Sequence, residues 1–184
     1  MAKRLTLITG GIRSGKSQYA LELLRQRTPA PKCFLATAQA LDEEMKVRIA
    51  RHRQERGGDF FTFEEPLHLA EALERVQGQY DFILIDCLTL WVNNLLFYFS
   101  APPEQIENEI RSFLDVVRLG RAEIVFVTNE VGCGVVGENP LNRLFIEKLG
   151  RLNQELARLC DEVILLVAGI PNPLKQGQHA RLES

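Results

Sequence analysis

Short apolar runs alternate with amphipathic stretches along the whole chain. Leu5 to Thr9, Phe82 to Ile85 and Glu123 to Thr128 are largely apolar and lack a polar alternation, which predicts strands covered on both faces, and Glu162 to Val167 predicts the last strand. Cys33 to Ala36 and Phe60 to Phe63 predict two further short strands. Between them lie helical patterns. The first starts near Lys16, carries Tyr19, Ala20, Leu23 and Leu24 at helical spacing, and stops before Thr28-Pro29-Ala30-Pro31, where two prolines forbid continuation. Glu64-Glu65-Pro66 predicts the first turn of a helix with Leu69, Ala72, Leu73 and Val76 on its apolar face, closed by Gly78. Leu88 to Phe99 is an apolar helix or helical turn broken at Ser100-Ala101-Pro102-Pro103, and Glu104 to Leu119 and Leu141 to Leu159 predict two more helices. Asp42 is placed to cap a polar helix from Glu43 to about Arg56, ended by Gly57-Gly58-Asp59.

Strands alternating with helices predict an α/β fold, a mostly parallel sheet with helices on both faces and a ligand crevice at the carboxyl ends of the strands. With 184 residues the chain can bury one sizeable core, so residues 1–170 are expected to form a single domain. Residues 171–184, rich in Pro, Gly and Gln, are expected to be a poorly ordered tail. A formal charge of −2 gives no broad attraction for polyanions, which argues against a nucleic-acid or membrane-surface protein. Cys33, Cys87, Cys133 and Cys160 are far apart and form no zinc-type cluster. They read as small core hydrophobes in a reducing compartment. The apolar run after Met1-Ala2-Lys3-Arg4 is too short for a signal peptide or a membrane span, so a cytoplasmic location is expected.

The segment Gly10-Gly11-Ile12-Arg13-Ser14-Gly15-Lys16-Ser17 follows a buried strand and opens a helix, which is the setting of a phosphate-binding P-loop. Its glycines let backbone amides converge on phosphate oxygens, Lys16 supplies a cation, and the Ser17 hydroxyl can join a Mg²⁺ shell. The fold class is therefore a P-loop NTPase with RecA-like architecture. Asp86, delivered at the end of the Phe82 to Ile85 strand, is the candidate second carboxylate for metal. Glu130, after Thr128-Asn129, holds a similar strand-end position. Either could orient an acceptor hydroxyl.

The polar helix carries Arg48, His52 and Arg56 at i, i+4 and i+8, a stripe able to receive a triphosphate. Positive neighbours favour neutral imidazole, the form that attacks phosphorus. The same spacing also suits a solvated helix on which His52 is one polar residue among several.

Taken together, Thr9 to Ser17, Ala36-Thr37-Ala38-Gln39, Asp42 to Met45, Arg48-Ile49, His52, Thr128-Asn129-Glu130-Val131-Gly132 and Gly150 to Gln154 resemble the bifunctional adenosylcobinamide kinase and adenosylcobinamide-phosphate guanylyltransferase family. The resemblance implies two reactions of cobalamin nucleotide-loop assembly. A nucleoside triphosphate, ATP or GTP, phosphorylates adenosylcobinamide. GTP then passes GMP to adenosylcobinamide phosphate through a guanylyl-histidine, and the matching position is His52. It also implies that Ala36, Thr37, Arg53, Gln54, Glu55, Arg56, Glu64 and Asp86 belong to the nucleotide site alongside the P-loop, and that the protein is a homotrimer. The family often has Glu where this chain has Asp86. Two alternatives keep the P-loop alone: a small-molecule kinase without guanylyl transfer, and a nucleotide-dependent regulatory module. Against the latter, the Asn-Lys-x-Asp segment of switch GTPases is absent from the sequence.

Overall fold

The computed structural model describes residues 3–27, 31–40, 43, 46–47, 50, 53–54, 57–99, 101–134 and 139–177. Seven strands form one sheet in the order β3-β2-β4-β5-β1-β6-β7. The strands are β1 (Leu5–Gly10), β2 (Lys32–Ala36), β3 (Phe60–Glu64), β4 (Phe82–Asp86), β5 (Glu123–Val127), β6 (Glu162–Val167) and β7 (Ile170–Lys175). The first six are parallel, and β7 returns antiparallel to β6.

Alternate side chains on each central strand serve two separate cores. Leu7, Leu35, Ile83, Ile85, Ile124 and Phe126 point to one face. There they meet α2 (Leu69–Gln77), α3 (Leu88–Asn93), α4 (Pro103–Leu119) and α5 (Pro140–Leu159). Ile8, Phe34, Leu84, Val125 and Val127 point to the other, against Ala20, Leu21 and Leu24 of α1 (Lys16–Arg25). This is why no polar alternation exists in the sequence: both faces are covered. At the centre of the larger core Phe113 packs edge to face on Phe126 and at a tilt against Trp91. Truncating one of them to Ala would cost about 3–5 kcal/mol.

Two expectations are corrected. The helix expected to begin at Glu64-Glu65-Pro66 starts at Leu69. The residue before a proline is pushed to extended geometry, so Glu64 completes β3 and Glu65 continues outward, donating its N–H to Ala36 O at 2.9 Å. Its carboxylate then accepts the N–H groups of Leu67 and His68, both at 2.9 Å, and shapes the turn that leads into α2.

The tail expected from Pro171 instead supplies β7 as far as Lys175. Pro171 and Pro173 lack an N–H, which an edge strand tolerates and a central one does not. Lys175 ties the strand down by donating to the carbonyls of Ala157, Arg158 and Cys160 at the end of α5. Residues 178–184 lie outside the described residues.

Candidate active site

The sheet register places the candidate residues in one row along the carboxyl edge. Glu64 is level with Ala36, Ala36 with Asp86, Asp86 with Val127, and Val127 with Ile8, two residues short of Gly10. Because β5 separates β4 from β1, Asp86 stands two strand spacings from the P-loop strand, roughly 10 Å. Glu64 stands four spacings away, roughly 19 Å. The candidates therefore occupy two ends of one edge.

At the first end, β1 delivers Gly10 and the chain turns through the loop into α1, with Gly15 as the left-handed N-cap residue at φ 93°. Gly10 is packed against the neighbouring strand so closely that a Cβ would sit 2.4 Å from Leu166 O and 2.8 Å from Ser14 Oγ. Only glycine fits. Arg13 also takes a left-handed φ of 58°, which turns the loop between the two glycines. Lys16 is buried and curls over the loop, donating to Gly11 O at 2.5 Å and meeting Ser14 Oγ at 3.4 Å. Its ammonium is thus stationed inside the ring of loop groups. Gly11, Ile12 and Arg13 are exposed, and Ser17 is half-buried at the first turn of α1. The buried Thr9 hydroxyl, directly before the loop, has no hydrogen-bond partner among the described residues.

The segment after β5 is bound to the loop. Glu130 donates its N–H to Gly10 O at 3.1 Å. Three polar side chains hold that segment: Thr89 Oγ1 accepts from Asn129 N at 2.7 Å, Asn153 Nδ2 donates to Asn129 O at 3.1 Å, and Thr128 Oγ1 donates to Asn153 Oδ1 at 2.9 Å. In the sequence Thr89 has no evident role, Thr128 is the end of an apolar strand, and Asn153 stands out only within the segment that carries the family resemblance. The available signal was a buried polar residue directly after an apolar strand. Glu130 itself is exposed, and its carboxylate accepts Gly132 N at 2.9 Å.

The second end is a pocket of about 480 Å³. Ala38, Gln39 and Ala40, which follow β2, form one wall, and Glu64 and Pro66, at the end of β3, form another. Lys46, Ala50 and Arg53 supply the third wall and are helical and exposed. Arg53 Nη2 donates to Glu64 Oε1 across the pocket mouth. Gln54 is exposed on the same helical segment. His52, Glu55 and Arg56 lie outside the described residues, as do Asp42 and Arg48. The pocket joins residues from three separated stretches of sequence, so no single motif announces it.

Between the two ends sit Ala36 and Asp86, both half-buried, and Thr37, fully buried. The Thr37 hydroxyl accepts Cys87 N at 2.8 Å and donates to Cys87 O at 2.7 Å. The structure thus brings Ala36, Thr37 and Asp86 together, and brings Arg53 to Glu64, while Glu64 and the P-loop stay apart.

A glycine-rich loop at the carboxyl end of a central parallel strand, a lysine curled over it and a carboxylate strand beyond define a nucleotide-binding P-loop enzyme of the RecA-like type. The fold is similar to that of the flagellar accessory protein FlaH from Methanocaldococcus jannaschii, with a TM-score of 0.53, 13% sequence identity and coverage of 96% of this chain and 80% of that one. The profile of the family described as cobinamide kinase / cobinamide phosphate guanyltransferase matches residues 6–174. The chain is 41% identical over 169 residues to the bifunctional adenosylcobalamin biosynthesis protein CobP of Pseudomonas aeruginosa, covering 92% of this chain and 96% of that one. It is 40% identical over 183 residues to CobU of Salmonella typhimurium and 38% identical over 182 residues to CobU of Escherichia coli, covering 93% of this chain and 99% of the relative in each case. The chain belongs to the cobinamide kinase / cobinamide phosphate guanyltransferase family. It is a bifunctional adenosylcobinamide kinase and guanylyltransferase of cobalamin biosynthesis.

Proposed function

We propose that the two ends of the carboxyl edge divide the chemistry: the P-loop Gly10–Ser17 grips the triphosphate, and the pocket beside Glu64 and Arg53 holds the nucleoside during guanylyl transfer. The observation that carries this reading is the pocket itself, a cavity with polar groups on two sides at the same edge as the loop. In the guanylyl step an imidazole nitrogen of His52 attacks the α-phosphorus of GTP, the N–P bond forms, and the α–β P–O bond breaks to release pyrophosphate. A phosphate oxygen of adenosylcobinamide phosphate then displaces His52, giving adenosylcobinamide-GDP. In the kinase step the γ-phosphoryl group of ATP or GTP passes to the substrate hydroxyl, which loses its proton. Glu130 orients that hydroxyl better than Asp86 does, because its backbone is bonded to Gly10 whereas β5 separates Asp86 from the loop strand. Lys16 stabilises the charge on the leaving phosphates in both steps.

Ser17 and Asp86 offer the hard oxygen donors that suit Mg²⁺, and among the described residues no group of three His, Cys, Asp or Glu could hold a metal. That donor set fits an ion carried mainly by nucleotide phosphates, with Ser17 and, through water, Asp86 completing its shell. Bound there, Mg²⁺ would neutralise charge on the transferring phosphates. Arg53, Gln54, Glu55 and Arg56, immediately after His52, would frame the guanylyl group.

The same reading places the enzyme in the cytoplasm as a homotrimer. All four cysteines carry thiols, and no helix among the described residues is long and apolar enough to cross a membrane. Exposed Val167, Ile170 and Leu174 on the β6–β7 hairpin offer apolar surface for a subunit contact. Sedimentation at three chain masses would agree with the trimer, and a single chain mass would exclude it.

The deciding experiment is incubation with GTP labelled at the α-phosphate plus Mg²⁺, followed by denaturation and peptide mapping. Acid-labile, alkali-stable label on His52 is expected. It should vanish in His52→Asn, which keeps kinase activity, and both reactions should fall by about 10²–10³ in Lys16→Ala. An unlabelled wild type that still phosphorylates adenosylcobinamide overturns the histidine route.

A further inference from the structure

Asn94 is 2% exposed among the buried apolar residues Trp91, Val92, Leu95 and Leu96. It opens the π-helical turn Asn94–Tyr98 that follows α3. Its amide nitrogen donates to two backbone carbonyls from different parts of the chain, Thr37 O at 2.9 Å and Pro66 O at 3.1 Å. Those two carbonyls are where the pocket begins. Ala38, Gln39 and Ala40 follow Thr37 directly, and Glu64 and Pro66 form the facing wall. One side chain therefore fastens both walls.

A small set of hydrogen bonds among the described residues anchors the two segments. Past the last ladder pair of β2 and β3, Ala36 with Glu64, the strands separate. Among the described residues, the bonds beyond that point include Glu65 N to Ala36 O, the Leu67 and His68 N–H groups to the Glu65 carboxylate, Trp91 Nε1 to Leu67 O at 2.7 Å, and the pair donated by Asn94. Thr37 completes the tie. It donates its own N–H to Asp86 O at 3.2 Å and holds Cys87 N and O with its hydroxyl, so every polar group of Thr37 is used within the protein. With no exposed surface, its side chain meets no ligand directly.

Resting on the assignment of this pocket to the nucleoside of GTP, we infer that Asn94 and Thr37 are positioning residues that fix the pocket's width and its alignment with Asp86. A buried amide between two carbonyls supplies two directed bonds that an apolar side chain of equal volume cannot replace. Supporting side chains that act this way are felt in ligand geometry as well as in stability.

The test titrates wild type, Asn94→Leu and Thr37→Val with GTP and with inorganic tripolyphosphate, in the absence of Mg²⁺ so that nothing turns over. Tripolyphosphate reports the P-loop alone, and the ratio of the two affinities reports the nucleoside. GTP affinity should fall about tenfold in both variants while tripolyphosphate affinity holds within about twofold. A loss shared equally by both ligands, or no loss in a folded variant, overturns the inference and assigns the two residues to stability only. If Asn94→Leu does not fold, Thr37→Val, nearly isosteric with the native residue, decides. If wild type itself binds GTP no more tightly than tripolyphosphate, the pocket assignment fails first, and the inference with it.

Discussion

The N–H of Gly169 donates to the carbonyl of Ser14 at 3.0 Å, so the turn joining β6 to β7 is bonded to the back of the P-loop. That turn carries two successive left-handed residues, Ala168 at φ 51° and Gly169 at φ 82°. The hairpin thus does more than close the sheet edge: it braces the segment whose shape binds phosphate.

Substitutions on the two sides of this contact should differ in kind. In Gly10→Ala the new methyl meets the Leu166 backbone carbonyl at 2.4 Å and Ser14 Oγ at 2.8 Å, and the carbonyl, held in the sheet, cannot swing aside as a side chain would. A loss of about 2–4 kcal/mol is expected, with nucleotide binding abolished. In Gly169→Ala the methyl meets nothing within 4 Å, so only the left-handed backbone is penalised, by about 1–2 kcal/mol. Chemical denaturation and tripolyphosphate titration check both. A Gly169→Ala protein as damaged as Gly10→Ala would refute the distinction between clash and backbone strain.

The fold was legible where physics leaves one solution. Runs such as Phe82 to Ile85 have no polar face to expose, and Gly10 to Ser17 concentrates glycines and a lysine where only a phosphate loop needs them. β7 was not legible, because its strand is all surface, interrupted by Pro171 and Pro173, and held by Lys175 reaching α5, a contact with no local signature. The pocket was hidden for a different reason. Ala38, Arg53 and Glu64 become neighbours only when β2 and β3 pair, and their adjacency is a consequence of topology. Asn94 did leave a trace, a buried amide in the apolar stretch Leu88 to Phe99, and a polar residue so placed asks for a backbone partner.

The cysteines should separate by accessibility. Burial pushes the Cys33 and Cys160 thiols up to about 12, so neither forms thiolate at neutral pH. Cys133 is exposed and Cys87 half-buried beside Asp86. A chromogenic disulfide reagent at pH 8 should modify Cys133 quickly and Cys87 more slowly, with Cys33 and Cys160 reacting only after denaturation. GTP should slow Cys87 further. Rapid modification of all four in the folded protein would contradict the buried assignment of Cys33 and Cys160.

The last relationship with a pH signature lies away from the active site. Lys148 of α5 donates to Glu107 of α4, and this bond, ahead of any other influence, holds the Glu107 carboxyl below its usual range. A carboxylate whose folded pKa is depressed stabilises the protein above its unfolded value, about 4.3, and that contribution disappears as pH falls through the folded value. The Glu107 side chain is 42% exposed, so solvent screening keeps the pair below about 1 kcal/mol at neutral pH. Glu107→Gln should therefore lower the melting temperature at pH 7 by no more than about 4 °C. The gap between variant and wild type should stay constant from pH 7 to about 5, narrow below about 4.3, and shrink in high salt at pH 7. Parallel thermal melts across pH 3 to 7 measure it. A gap that widens with acid would mean that Glu107 stabilises the fold in its protonated form, contrary to its bond with Lys148.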